Sequence, residues 1–93
     1  MDSVEASEQV ANQIEVFLKF SPKLAFRVYE DFSEDEIRLG EDGYYYVNTV
    51  PPEHESLYTY LLSYLDGVEI LEPGHLKKEF LSRLEKIQKL YKP

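Results

Sequence analysis

Apolar and polar positions alternate early in the chain. Ile14, Val16, Leu18 and Phe20 are separated by Glu15, Phe17 and Lys19. A period of two predicts a strand with one buried face. Ser21-Pro22 ends it and starts a helix, with Ser as N-cap and Pro at the first helical position, where a missing N–H costs nothing. Leu24, Ala25, Val28, Tyr29 and Phe32 then recur at helical spacing. Residues 33–36 are acidic and turn-like, and Ile37 and Leu39 begin a second strand. Gly40-Glu41-Asp42-Gly43 places an Asp-Gly pair between two strand-like runs, which predicts a hairpin because both residue types tolerate positive φ. Tyr44-Tyr45-Tyr46-Val47-Asn48-Thr49-Val50 is the return strand by its aromatic and β-branched content, and Pro51-Pro52 stops it.

Helical spacing returns over residues 53–65, where Leu57, Tyr58, Leu61, Leu62 and Leu65 form one stripe and acids occupy the first turn. Asp66-Gly67 caps this helix, Val68-Glu69-Ile70-Leu71 is a short strand, and Glu72-Pro73-Gly74 breaks it. A last helix over residues 75–91 carries Leu76, Phe80, Leu84, Ile87 and Tyr91 on one side. The order β-α-β-β-α-β plus a C-terminal helix predicts an α+β, ferredoxin-like sandwich. It has a four-stranded antiparallel sheet with two helices on one face, the first and third strands at the centre, and right-handed crossovers. Residues 1–12, with Asp2, Glu5 and Glu8 among small and polar neighbours, are expected to be a leader or linker, and residues 13–93 a single domain.

Length and charge narrow the functions. A 93-residue chain makes one small domain. Its net charge of −8 argues against direct binding to a phosphate backbone, since a polyanion would be repelled. With no Cys there is no disulfide, thiolate metal site or Cys nucleophile. No apolar run is long enough to span a bilayer and no secretory signal is visible, so the expected setting is the cytoplasm, with no membrane partner. At 43% hydrophobic and 14% aromatic residues the chain is too apolar for a disordered tail.

Three stretches carry a family likeness. They are Val16-Phe17-Leu18-Lys19-Phe20-Ser21-Pro22 running into Arg27-Val28, then Leu61-Leu62-Ser63-Tyr64 followed by Val68-Glu69-Ile70-Leu71-Glu72-Pro73, and the closing helix from Leu76 to Tyr91. Together, over residues 14–91, they resemble the C-terminal extension (WCX) of bacterial WYL-domain transcriptional regulators of the DeoR/YafY-like helix-turn-helix kind. In those regulators a winged helix-turn-helix comes first, a WYL domain of Sm-like barrel type follows, and this module ends the chain. The family often has a glycine after the Ser-aromatic pair, whereas Leu65 stands there in this chain and Gly67 comes two positions later. The resemblance implies a regulatory module that homodimerises, packs on the WYL domain and couples sensing of an unidentified effector to DNA binding by a helix-turn-helix outside these residues. DNA would then be met only through that other domain. Ligand sensing in related regulators extends to single-stranded nucleic acid.

The residues themselves offer one candidate interface. If Ile14, Val16, Leu18 and Phe20 face the helices, Phe17 faces away from them, and Leu71 does so in the last strand. In the third strand either Tyr44 and Tyr46 or Tyr45 and Val47 point outward. Phe17, Leu71, Tyr44 and Tyr46 are the candidate apolar contacts of an open sheet face, to be covered by another chain, by a WYL domain or by the C-terminal helix of the same chain. A second surface follows from charge. Residues 1–74 hold 16 acids and 4 bases, net −12, and residues 75–93 hold 6 bases and 2 acids, net +4. Lys78, Arg83 and Lys86 on the last helix are therefore candidate contacts to an acidic partner surface, set against the simpler role of complementing the helix dipole.

No chemistry is expected. Glu30, Asp31, Glu34, Asp35, Glu36, Glu41 and Asp42 lack the spacing of a calcium loop and read as surface turns. His54 and His75 have no second histidine at metal-ligand spacing and read as surface or capping residues. No nucleophile elbow and no glycine-rich phosphate loop is present, so neither a catalytic residue nor a cofactor is assigned. The tyrosines could stack bases, but without a positive groove they read as packing-edge residues. Two other functions fit the same composition. One is a free-standing small-molecule sensor of ferredoxin-like fold, and the other is an acidic mimic of DNA that blocks a DNA-binding protein.

Overall fold

Val16, Leu18 and Phe20 are buried while Phe17 between them keeps 37% of its surface, so the alternation of the first strand is the alternation of its two faces. In the computed structural model, which describes residues 12–92, the strands are β1 (Val16–Phe20), β2 (Ile37–Leu39), β3 (Tyr45–Thr49) and β4 (Val68–Glu72). They form one antiparallel sheet in the order β2-β3-β1-β4, the ferredoxin-like arrangement with β1 and β3 at the centre. Helices α1 (Ala25–Asp31), α2 (Glu55–Leu62) and α3 (Gly74–Leu90) complete the α+β fold.

The core explains the layering. Inward-facing Val16, Leu18, Phe20, Val47 and Ile70 pack in one cluster with Val28 of α1, Leu57 and Leu61 of α2, and Leu76 and Phe80 of α3. Fully burying an aliphatic or aromatic side chain of this size contributes about 1.5–3 kcal/mol. Phe20 is the hinge of the cluster, edge-on to Tyr64 at 4.9 Å and tilted against Phe32 at 5.6 Å between ring centroids. The Tyr64 ring is buried, and its hydroxyl donates to the Asp31 carboxylate at 2.7 Å, which ties the end of α1 to the segment after α2. Burial, first, and the hydrogen bonds to Tyr60 and Asp31 push the Tyr64 hydroxyl far above its ordinary pKa.

Several element ends differ from the sequence expectation. Ile14 lies outside β1, its N–H donating to the Pro51 carbonyl at 3.0 Å, and Gln13 forms an isolated bridge with Pro52. The first helix enters through a 3-10 turn, Pro22–Leu24, because the Ser21 hydroxyl accepts from the Lys23 N–H and sets a tight start. Helix α2 spans Glu55–Leu62 rather than residues 53–65. His54 is its N-cap, with Nδ1 accepting from the Ser56 N–H at 3.2 Å. At the other end Leu65 has φ +56°, a left-handed conformation that no helix interior admits, and the chain turns through Leu65–Gly67 into β4. The leader expected over residues 1–12 lies outside the described residues except for Asn12, whose carbonyl accepts from the Glu53 N–H at 2.6 Å.

Candidate functional site

The pairing register decides which tyrosines face outward. Lys19 opposes Tyr46 and Leu18 opposes Val47, so Tyr46 shares the open face with Lys19 and Phe17, while Tyr45 and Val47 face the helices. Arg38 of β2 opposes Tyr46 and joins the same face. On the other flank the β1–β4 register slips between Phe17 and Leu18, leaving Leu71 as the extra residue between Ile70, opposite Leu18, and Glu72, opposite Phe17. This bulge sets Leu71 beside Phe17.

The result is a shallow groove of about 530 Å³ on the face away from the helices. Phe17, Tyr46 and Leu71 are its apolar lining, and Asp35, Glu36, Glu72 and Arg38 are its charged lining. The Tyr46 hydroxyl donates to Asp42 Oδ2 at 2.6 Å, and the Arg38 guanidinium lies 5.2 Å from the Tyr46 ring centre. That hydrogen bond, with one from the Tyr44 N–H, holds the Asp42 carboxyl below the usual carboxylate range and raises the Tyr46 hydroxyl above its own. Glu36 is similarly held low, first by the Ser33 N–H at 3.0 Å and next by the Thr49 hydroxyl at 2.8 Å. Tyr44 precedes β3 and sits beside the groove, with Lys19 Nζ 4.6 Å over its ring.

The C-terminal helix does not roof this groove. Its Leu76 and Phe80 belong to the core cluster on the helix side of the sheet. Its Arg83 is turned inward, stacked 4.1 Å over the Tyr58 ring, paired with Glu55 and bonded to Glu79 at 2.9 Å. The same pairing raises the Arg83 pKa and lowers that of Glu55, and His75 Nε2 meets Glu53 at 2.7 Å at the start of the helix. Of the three cations singled out in sequence, Arg83 is thus occupied within the chain, and Lys78 and Lys86 are exposed. Beyond Arg83 the helix outruns the body it packs on. Exposure along the one stripe rises from 0% at Leu76 to 37% at Leu84 and 82% at Tyr91.

Among the described residues no group of three or more His, Asp or Glu side chains is placed to hold a metal ion, and no helix is long and apolar enough to cross a membrane. Of the acids singled out around β2, Asp31 accepts from the Tyr64 hydroxyl, Glu36 from the Thr49 hydroxyl and Asp42 from the Tyr46 hydroxyl. What sequence reasoning missed is the wall of the groove supplied by Asp35, Glu36 and Arg38, and the clasp of Arg83 on Glu55 and Tyr58. Only the i,i+4 spacing of Glu79 and Arg83 gave a local hint of the latter.

A protein-family model described as the WCX domain matches residues 12–88. No curated protein and no solved structure matches the chain.

Proposed function

The chain belongs to the WCX domain family, and from that premise we propose that it is the C-terminal regulatory module of a bacterial WYL-type transcriptional regulator. In this reading the module packs on a WYL domain, contributes to dimerisation, and passes an effector signal to a helix-turn-helix elsewhere in the regulator. It works in the cytoplasm by surface complementarity and catalyses nothing. The observation that carries the reading is the family match over residues 12–88. The groove around Phe17 and Leu71 supports it physically, because partly covered apolar side chains on an otherwise charged surface gain a fraction of the about 1.5–3 kcal/mol that full burial is worth when a partner covers the rest.

The test has two parts. The coding sequence upstream of Met1 should encode a helix-turn-helix and a WYL domain. That upstream segment, titrated calorimetrically with this chain, should bind it. An upstream sequence without a WYL domain, or a titration with no heat of binding, would overturn the reading.

A further inference from the structure

Among the described residues two surfaces are uncovered, and they are opposite in shape and sign. One is the groove, with Phe17, Tyr46 and Leu71 as its apolar part. Its charged lining is three carboxylates, Asp35, Glu36 and Glu72, against the single cation Arg38. The other is the overhang of α3. Leu84, Ile87, Leu90 and Tyr91 are all exposed there, and the helix rises about 1.5 Å per residue, so the free helical stretch from Leu84 to Leu90 is roughly 10 Å long. Lys86, Lys89 and Lys92 flank it against the single acid Glu85, and among the described residues these lysines make no ion pair.

We propose that the overhanging end of α3 docks, apolar stripe down, in the sheet-face groove of a second copy of this chain. The second copy is the occupant that the charges select. A net cationic amphipathic helix fits an apolar groove with a net anionic lining, and both halves of the match are present on each molecule. A symmetric contact of α3 with α3 would set lysine-rich surfaces against each other, and sheet face on sheet face would oppose carboxylates. Helix in groove places Ile87 and Leu84 against Phe17 and Leu71, with the lysines toward Glu72 and Asp35. Two such contacts about a two-fold axis close a dimer, and a single contact leaves one helix and one groove free.

This deepens the dimerisation part of the proposed function and rests on it. Sedimentation velocity of the full 93-residue chain tests it with two variants, Phe17→Glu in the groove and Ile87→Glu on the overhang. Both positions are at least partly exposed, so unchanged circular dichroism and melting identify variants that remain folded. The wild type should associate, and raising the salt from about 0.05 to 0.5 M should weaken that association at least about tenfold, because the Debye length shrinks across this range. Each variant alone should lose about 100-fold or more in affinity. An equimolar mixture of the two should associate again as a 1:1 pair, since Ile87→Glu keeps an intact groove and Phe17→Glu keeps an intact helix.

A mixture that stays monomeric while the wild type dimerises would overturn helix-in-groove docking and point to a symmetric interface. A monomeric wild type at every concentration would overturn self-association as well. Binding of the upstream WYL segment to that monomer would then leave the regulatory reading standing without this inference.

Discussion

Replacing Leu65 with glycine should stabilise the protein. Leu65 has φ +56° and is 77% exposed, so its side chain gains little from packing while its Cβ crowds the following carbonyl. The left-handed conformation costs an L-residue about 1–2 kcal/mol. Glycine removes that cost and gives back about 0.5–1 kcal/mol through the greater freedom of its unfolded chain. The difference is a gain of about 0.5–1 kcal/mol, which in a domain of this size corresponds to about 2–8 °C in melting temperature. The assay is thermal and urea unfolding followed by circular dichroism, with Leu65→Ala as the control. Alanine removes the exposed leucine and keeps the Cβ, so it should show none of the gain. Equal stabilisation by alanine and glycine would refute the backbone explanation, as would a less stable Leu65→Gly.

The other predictions test packing and charge. Gly67→Ala should destabilise by about 1–3 kcal/mol, because its Cβ would collide with the Leu24 side chain, and urea midpoints will show whether it does. Tyr64→Phe should lose about 1 kcal/mol with the bond to Asp31, and an unchanged urea midpoint would remove that bond from the stability account. Arg83→Ala should release the first turns of α3 from Glu55 and Tyr58, read as faster amide exchange at residues 75–83 with little change in β1. For Glu36, the folded-state pKa lies below the unfolded one, so its contribution is present above the unfolded value and is lost as pH falls through the folded value. Urea midpoints measured from pH 7 down to about 3 should fall less steeply in Glu36→Gln than in the wild type, since an unperturbed Glu titrates near pKa 4.3. Parallel curves would contradict this.

The sequence was legible wherever one residue type dominated one face. Val16, Leu18 and Phe20 against Glu15 and Lys19 gave the orientation of β1 before any coordinate, and the order of strand and helix signals gave the sheet. It was ambiguous where both faces carry the same chemistry. Tyr44-Tyr45-Tyr46-Val47 is aromatic or branched at every position, so only the pairing of Lys19 with Tyr46 fixes its sides. The stripe of the last helix shows that it must bury Leu76 and Phe80 but not against which layer, since amphipathicity carries no address. The early end of α2 was hidden for a related reason. Leu65 continues the helical stripe in sequence, and the turn is set by tertiary contacts, among them Arg27 Nη1 donating to the Ser63 carbonyl at 3.1 Å and stacking 4.2 Å over Tyr64. The groove depends on the bulge at Leu71 and on residues from four strands and a turn, a combination that no local pattern encodes.

Both the proposed function and the proposed docking require that the sheet face bearing Phe17 be covered when the protein works. Because the chain has no cysteine, a single thiol introduced by Asn48→Cys, at an exposed groove position opposite Phe17, reports on that face alone. The rate of its modification by a maleimide, compared with that of Glu30→Cys on the outer side of α1, is the measurement. The thiol at position 48 should become protected as protein concentration rises, while the thiol at position 30 reacts at a constant rate. Equal and unchanging rates at both positions under every condition would contradict it.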